Sequence, residues 1–201
     1  SLRRERRAMW DECLPLFRNP VISQDDIDYP RLDGVFRSHP VTLEPIADHV
    51  GYRKLPQLWV RITAWAELPF RGTLDLLMRP ENTEFYSAVW SLPIALNLPA
   101  NWPEHAVLRT NSVTESAPLT TVEPHLALLN DPRLKELVVA PRGVRLVYQL
   151  AQGERANYSV FRTVKFARAR IENEVMERLL QSVVALANDL RQSKFTQQAA
   201  M

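Results

Sequence analysis

The stretch LWVRITAW, residues 58–65, decides the fold class of this chain. Every second residue is aliphatic: Leu58, Val60, Ile62 and Ala64. The residues between them are Trp59, Arg61, Thr63 and Trp65. Successive side chains of a β-strand point to opposite faces of a sheet, so a period of two predicts a strand with one face in the core.

Turn residues on both sides of this stretch predict an antiparallel sheet built from hairpins. Val35 and Val41 flank Ser38, His39 and Pro40, a pattern typical of a hairpin turned around a proline. Residues 74–78 alternate like a further strand, and we expect them to return and pair with residues 58–65. Residues 18–33, with two prolines and with Asp25, Asp26 and Asp28 close together, predict an acidic connector without regular structure.

The second half of the chain adds a second hairpin and more short elements. Pro141 and Gly143 lie between two apolar runs, residues 137–139 and 144–150, and suit a tight turn. Further strands are predicted at residues 106–109 and 158–166. Residues 84–96 predict a short helix followed by a loop, and residues 123–130 a short helix.

A helix is predicted at each end of the chain. Apolar residues of the C-terminal segment recur at intervals of three and four: Ile171, Val175, Leu179, Val183, Leu186 and Leu190. This stripe indicates an amphipathic helix that covers one face of the sheet. Residues 2–14 predict a short N-terminal helix that Pro15 ends, with Met9 and Cys13 on one side.

The fold class is therefore predicted to be α+β, with a mainly antiparallel sheet, a long C-terminal helix packed on it and a short N-terminal helical extension. We expect three parts: the N-terminal helix and acidic connector in residues 1–32, a single α+β domain in residues 33–192, and a flexible tail in residues 193–201.

Composition narrows the function classes. The chain has 201 residues, of which 46% are hydrophobic and 24% charged, as in ordinary globular proteins. Its single cysteine, Cys13, excludes an internal disulfide and favours the reducing cytoplasm. No apolar run reaches the roughly 18 residues of a membrane helix, and no signal-peptide pattern occurs. A net charge of +2 requires no polyanionic partner.

Positive charge is nevertheless clustered in two places. Arg3, Arg4, Arg6 and Arg7 surround a single acid, Glu5. The chain begins with Ser1, and an arginine-rich start is typical of the cytoplasmic side of a membrane helix. This cluster therefore predicts a membrane-proximal segment at the inner membrane. The alternative is that it is solvated surface charge. The second basic stretch runs from Arg142 to Arg170.

The motifs of common enzymes are missing from the sequence. Its five glycines form neither a phosphate-binding loop nor a nucleophile elbow. The four histidines are far apart and the one cysteine stands alone, so no metal site and no cofactor are predicted. Two pairs of neighbours remain general-base candidates, Asp48 with His49 and Glu104 with His105.

One strand face is suggestive of a ligand. Trp59, Arg61 and Trp65 share one side of the predicted strand and could stack a planar ligand or an unpaired base. The alternative is that the tryptophans are core residues of a sheet covered on both faces.

The order of these signals resembles a group of uncharacterised bacterial proteins in which a membrane helix and a basic stretch precede a cytosolic α+β domain. The matching features are Arg3 to Arg7; Leu32, Gly34, Phe36, Arg37, Pro40, Val41 and Leu43; residues 74–80; Asp131, Pro132, Arg133 and Leu134; and the terminal apolar helix. The resemblance implies a tethered cytosolic domain and assigns no catalytic or binding residue.

Three functions are compatible with the sequence. The first is a non-enzymatic cytosolic interaction or scaffold domain with a protein partner, held at the cytoplasmic face of the inner membrane by the four arginines. The second is a single-stranded nucleic-acid binder that uses Trp59, Arg61 and Trp65 with the second basic stretch. The third is an enzyme with a cleft assembled from dispersed residues such as Asp48, His49 and His105. The oligomeric state is left open by the sequence.

Overall fold

The computed structural model describes residues 2–47, 57–80, 84–152 and 170–199, with only the backbone of residues 152 and 194–199. The nine strands of this part are β1 (Arg18–Ser23), β2 (Arg31–Phe36), β3 (His39–Ala47), β4 (Gln57–Trp65), β5 (Leu74–Met78), β6 (Ile94–Leu96), β7 (Ala106–Thr110), β8 (Leu134–Ala140) and β9 (Gly143–Gln152). They form one antiparallel sheet in the order β1-β2-β3-β4-β9-β8-β5-β7-β6.

Helices precede, interrupt and follow these strands. The α-helices are α1 (Leu2–Arg7), α2 (Leu119–Val122) and α3 (Asn173–Ala199). Single 3-10 helices lie at Ala8–Trp10, Leu14–Leu16, Val89–Ser91 and Glu123–Asn130. The predicted α+β class is confirmed, including the antiparallel sheet and the long C-terminal helix.

Both predicted hairpins are present. The β2–β3 turn consists of Arg37 and Ser38, which have φ angles of 45° and 71°, the left-handed pair that suits a two-residue hairpin loop. The sequence pattern placed Pro40 in the turn. In the structure Pro40 lies in β3, opposite Val35. In the β8–β9 hairpin, a Cβ on Gly143 would lie 2.3 Å from the carbonyl oxygen of Ala64, so only glycine lets β4 approach so closely.

The predicted pairing of residues 58–65 with residues 74–78 is wrong. The first stretch forms β4, which pairs with β3 and β9, and the second forms β5, which pairs with β7 and β8. The long β8–β9 hairpin lies between them, because β9 offers β4 nine paired residues whereas β5 has only five in all.

The N-terminal region is more closely built into the sheet than predicted. Helix α1 ends at Arg7, and Pro15 lies inside the second 3-10 helix instead of ending a continuous helix. Residues 18–23, expected in an irregular connector, form the edge strand β1. Pro20, which an edge strand tolerates, and a shift of register between Arg18 and Val21 disrupt the alternation of buried and exposed residues that marks a strand.

The main hydrophobic core lies on one face of the sheet, which we call the helix face. Helix α3 packs there against β4 and β9. Its buried residues are Met176, Leu179, Leu180, Val183, Val184, Leu186, Ala187 and Leu190. Met9, Trp10, Cys13 and Phe17 of the N-terminal region join the same core. The predicted amphipathic stripe is therefore confirmed.

The remaining predictions of secondary structure had mixed outcomes. Residues 106–110 form β7, and residues 123–130 are helical, as expected. Residues 94–96, expected in a loop, form β6 instead, because they pair with the edge of β7. The predicted strand at residues 158–166 lies outside the described residues. Helix α3 continues to Ala199, and the flexibility of residues 193–201 stays a prediction.

Candidate interaction surface

The opposite side of the sheet, here called the second face, carries the residues that alternate with the core residues of β4. Trp59, Arg61, Thr63 and Trp65 all belong to it. A smaller hydrophobic cluster lies here, consisting of Trp59, Leu77, Tyr86, Val89 and Val147. Tyr86 and Val89 come from the segment between β5 and β6, so that segment covers only a part of this face.

The three residues of the predicted stacking face have different surroundings. Trp59 is 1% exposed, and its ring centroid lies 5.4 Å from that of Phe85 and 5.0 Å from that of Tyr86. Trp65 is 40% exposed and donates a hydrogen bond from Nε1 to Oγ1 of Thr42 over 2.8 Å. Trp59 is thus a core residue of the small cluster, whereas Trp65 lies at the surface.

Arg61 lies between the two tryptophans and is tied to the protein on both sides. Its Nη1 lies 3.1 Å from Oε2 of Glu44, the residue opposite it on β3. Its Nη2 donates a hydrogen bond of 3.3 Å to the carbonyl oxygen of Tyr86. Arg61 therefore holds the covering segment to the sheet and is only partly available to a ligand.

Two buried carboxyl groups lie at the centre of the second face, on neighbouring strands. Asp75 on β5 and Glu136 on β8 are 1% and 0% exposed. Burial, and next the charge of Glu136, raise the pKa of Asp75 to about 8, against the opposing effect of Arg145. Burial also raises the pKa of Glu136, although the Ser87 hydroxyl and Arg145 lower it. The pair therefore retains a proton at neutral pH.

Arg145 is the cation closest to this pair on β9. Its Nη2 lies 4.0 Å from Oε2 of Glu136, and its side chain is 29% exposed. The register places it between Val138 of β8 and Thr63 of β4. Because the pair holds one proton, it carries one negative charge, which balances Arg145.

Among the residues that the structure describes, three large aromatic side chains of this face are exposed to solvent. They are Trp65 at 40%, Phe85 at 43% and Trp90 at 56%. The guanidinium carbon of Arg142 lies 6.0 Å from the ring centroid of Trp65, and that of Arg109 lies 5.9 Å from the ring centroid of Trp90. The second face thus has two arginine–tryptophan pairs.

These two pairs lie at opposite sides of the sheet centre. Arg109 is opposite Asp75, and the same cross-strand row continues through Val138 and Arg145 to Thr63. Four strand-to-strand steps separate β7 from β4, a distance of roughly 19 Å at about 4.8 Å per step. A ligand that contacts both pairs must therefore extend across about half of the second face.

The four N-terminal arginines are not equivalent. Arg3, Arg4 and Arg7 are exposed on α1. Arg6 is half-buried, with its guanidinium 4.4 Å from the ring centroid of Tyr29, and it donates a hydrogen bond to the carbonyl oxygen of Ile27. Arg3 also donates a 3.5 Å hydrogen bond to the carbonyl oxygen of Gln24, so Arg3 and Arg6 both link α1 to the loop before β2, while Arg4 and Arg7 extend into solvent.

The histidine pairs predicted as general bases form no described cleft. His105 is exposed, with Nε2 4.0 Å from Glu104, and Asp48 and His49 lie outside the described residues. His125 contacts Asp189 of α3 over 2.7 Å, a pair that the sequence did not indicate. Among the side chains that the structure describes, no three acidic, histidine or cysteine residues are arranged to hold a metal ion.

The second basic stretch is only partly described. Arg142 and Arg145 lie on the second face, and Arg170 forms an ion pair with Glu12 over 3.3 Å. The residues between positions 152 and 170 are outside the described part of the chain. Of the three arginines of this stretch that the structure describes, Arg142 and Arg145 therefore contribute to the candidate surface.

Sequence reasoning missed most of this surface. Phe85 and Trp90 lie in a segment without periodicity, and the contact between Asp75 and Glu136 depends on pairing of distant strands. One signal was available: Asp75 interrupts LDLLM, residues 74–78, where a charged residue in an apolar strand indicates a special environment.

The comparisons with known proteins give one structural similarity. No family model matches the chain, and no curated protein matches it significantly. The crystal structure of the mycobacterial trehalose monomycolate transport factor A, TtfA, is similar with a TM-score of 0.43 and 10% sequence identity, over 94% of each chain. A resemblance at this level does not indicate a shared ligand, reaction or partner. Within the described residues, no helix is long and apolar enough to cross a membrane.

Proposed function

We propose that this chain is a non-enzymatic cytosolic interaction domain that binds a protein partner through the second face of its sheet. The observation that carries the proposal is the exposure of Trp65, Phe85 and Trp90 on that one face. Tryptophan and arginine are enriched among the residues that dominate binding energy at protein interfaces. Single exposed apolar residues are ordinary, but here three large aromatic side chains are exposed on the same face.

The arrangement of the sheet supports this assignment. The helix face is filled by α3 and the N-terminal region, so its apolar residues are already used in the core. The second face combines a rigid strand framework with exposed aromatic rings and partly exposed arginines. Such a surface is pre-organised, which reduces the entropy lost on binding.

Removing the two exposed tryptophans is expected to abolish binding of the partner. In the double variant Trp65→Ser/Trp90→Ser, we expect recovery of the co-purifying partner from the native cells to fall at least tenfold, because interface tryptophans contribute about 2 kcal/mol or more each. Quantitative mass spectrometry of proteins bound to the tagged chain measures this loss.

Val113→Ser is the matched control, since Val113 is 63% exposed and lies in the loop after β7. It should retain the partner, and circular dichroism should show that all three proteins are folded. Equal recovery by the double variant and the control would contradict the proposal.

A second feature favours association with an anionic membrane. Arg3, Arg4 and Arg7 are exposed together on α1, and each arginine near an anionic surface contributes about 1 kcal/mol. We propose that these residues help to hold the domain at the cytoplasmic face of the inner membrane. They would strengthen an association that a separate membrane anchor provides.

Vesicle flotation tests this association. We expect the protein to float with vesicles of phosphatidylglycerol and phosphatidylcholine at low salt, and the triple variant Arg3→Gln/Arg4→Gln/Arg7→Gln to remain at the bottom of the gradient. Binding should fall as salt rises, because the attraction is screened. Equal flotation of both proteins, or equal flotation with phosphatidylcholine alone, would exclude the arginines as the cause.

A further inference from the structure

The charge of the second face indicates the chemistry of its partner. Arg109, Arg142 and Arg145 contribute three positive charges to the second face. That pair lies below the surface and retains a proton, so it offsets less positive charge than two ionised acids would. A partner with negative charge therefore complements this part of the face.

The two arginine–tryptophan pairs indicate which positions of the partner should be negatively charged. In each pair a guanidinium lies about 6 Å from an exposed indole ring, so one ligand position can meet a cation and an apolar surface together. The roughly 19 Å between β4, which carries Trp65, and β7, which carries Arg109, correspond to about six residues of extended polypeptide at about 3.3 Å per residue. A short extended segment would therefore reach both.

Exposed acids limit the alternatives. Asp33 and Glu44 lie on the same face, with 41% and 44% of their side chains exposed. Each of them already neutralises an arginine, Arg31 and Arg61 respectively, so these two arginines are not available to the continuous phosphate chain of a nucleic acid. A peptide, in contrast, can place its few acids at Arg109 and Arg142 alone. Burial of Trp59 also removes one of the rings on which an unpaired base was predicted to stack.

We infer that the second face binds an extended acidic segment of a protein, with acidic side chains at Arg109 and Arg142 and apolar side chains at Trp90 and Trp65. This inference rests on the proposed function and names the class of partner for the same surface.

Fluorescence anisotropy with the full chain tests the inference. The probe is a labelled ten-residue peptide in which Glu and Phe alternate. The competing probes are the same peptide with Lys in place of Glu, and a ten-nucleotide oligothymidylate. We expect the acidic peptide to bind at least tenfold more tightly than either, with an affinity that decreases as salt rises.

Variants connect the binding to the two pairs. Arg109→Gln/Arg142→Gln should weaken the acidic peptide at least tenfold, and Arg142→Gln alone should weaken it by a smaller factor. Arg109 also donates a 2.7 Å hydrogen bond to the carbonyl oxygen of Leu92, so its replacement also removes a structural contact. The Arg142→Gln variant tests the charge without that loss. Arg191→Gln, which removes an exposed charge from α3, should leave the affinity unchanged.

Several results would overturn the inference. These are equal binding of the acidic and basic peptides, tighter binding of the oligonucleotide, and no effect of the arginine variants. If no peptide binds while Trp65→Ser/Trp90→Ser still loses the cellular partner, the acidic partner is excluded and the proposed function stands. If that double variant keeps the partner, the proposed function itself fails.

Discussion

Replacing Asp75 by Asn is expected to stabilise the protein by about 3 kcal/mol at pH 8. The pKa of Asp75 is raised from its ordinary value of 3.8 to about 8 by burial and by Glu136. The folded protein therefore holds a proton that the unfolded chain releases, and each pH unit between the two values costs about 1.4 kcal/mol. An amide of the same shape does not titrate and so avoids that cost. Part of the gain in stability is lost because the amide forms less favourable hydrogen bonds than the protonated acid.

The direction of the pH dependence follows from the raised pKa. The stabilising contribution of protonated Asp75 is complete below pH 3.8, decreases as the pH rises, and is lost as it passes about 8. Urea unfolding at pH 5, 6.5 and 8 should show a decreasing free energy of unfolding for the wild type. The Asp75→Asn variant should show a smaller decrease over the same range.

Asp33→Asn is the matched control for this substitution. Asp33 pairs with Arg31 over 2.8 Å at the surface, and the Arg31 hydrogen bond lowers its pKa. Its loss should destabilise the protein slightly, by about 1 kcal/mol or less at pH 7. If wild-type stability instead rose from pH 5 to pH 8, and Asp75→Asn were less stable throughout, both carboxyl groups would be ionised and paired with Arg145.

Replacing Trp10 by Ala is expected to cost about 3–5 kcal/mol of stability, the usual result of emptying a large core site. Trp10 is 0% exposed and donates a hydrogen bond from Nε1 to the carbonyl oxygen of Pro30 over 2.7 Å. Its loss would release the N-terminal region from the sheet. Urea unfolding followed by circular dichroism measures the effect.

Two further variants interpret that result. Trp10→Phe keeps most of the packing and loses the hydrogen bond, so we expect a cost of about 1–2 kcal/mol. Trp90→Ala makes the same change at an exposed site and should cost about 0.5 kcal/mol. Equal costs at positions 10 and 90 would mean that the N-terminal region is not part of the core.

The strongest sequence patterns predicted the elements at the centre of the fold. The alternation in residues 58–65 and the stripe on α3 each reflect one buried face of a regular element, so periodicity shows them directly. Edge strand β1 was missed because Pro20 and its exposed position remove that pattern. The order of the central strands was also out of reach, since local sequence does not say which hairpin inserts between β4 and β5.

The candidate surface was harder to predict than the fold. Trp65 and Arg61 were recognised because they lie on a periodic strand, but the same reasoning grouped them with Trp59, which Phe85 and Tyr86 cover. Trp90 and Arg109 come together only through the pairing of β6 and β7 and the turn before them. Neighbours across a sheet depend on register, which a single strand sequence does not contain.

Site-specific photo-crosslinking in the native cells tests the role of the second face most directly. Benzoylphenylalanine would replace Trp90 in one protein and Ala185, an exposed residue of α3, in another. We predict that Trp90→benzoylphenylalanine gives a discrete crosslinked product containing a second protein, and that the position-185 protein gives none. Crosslinking only from position 185, or equally from both positions, would contradict an interaction surface on the second face.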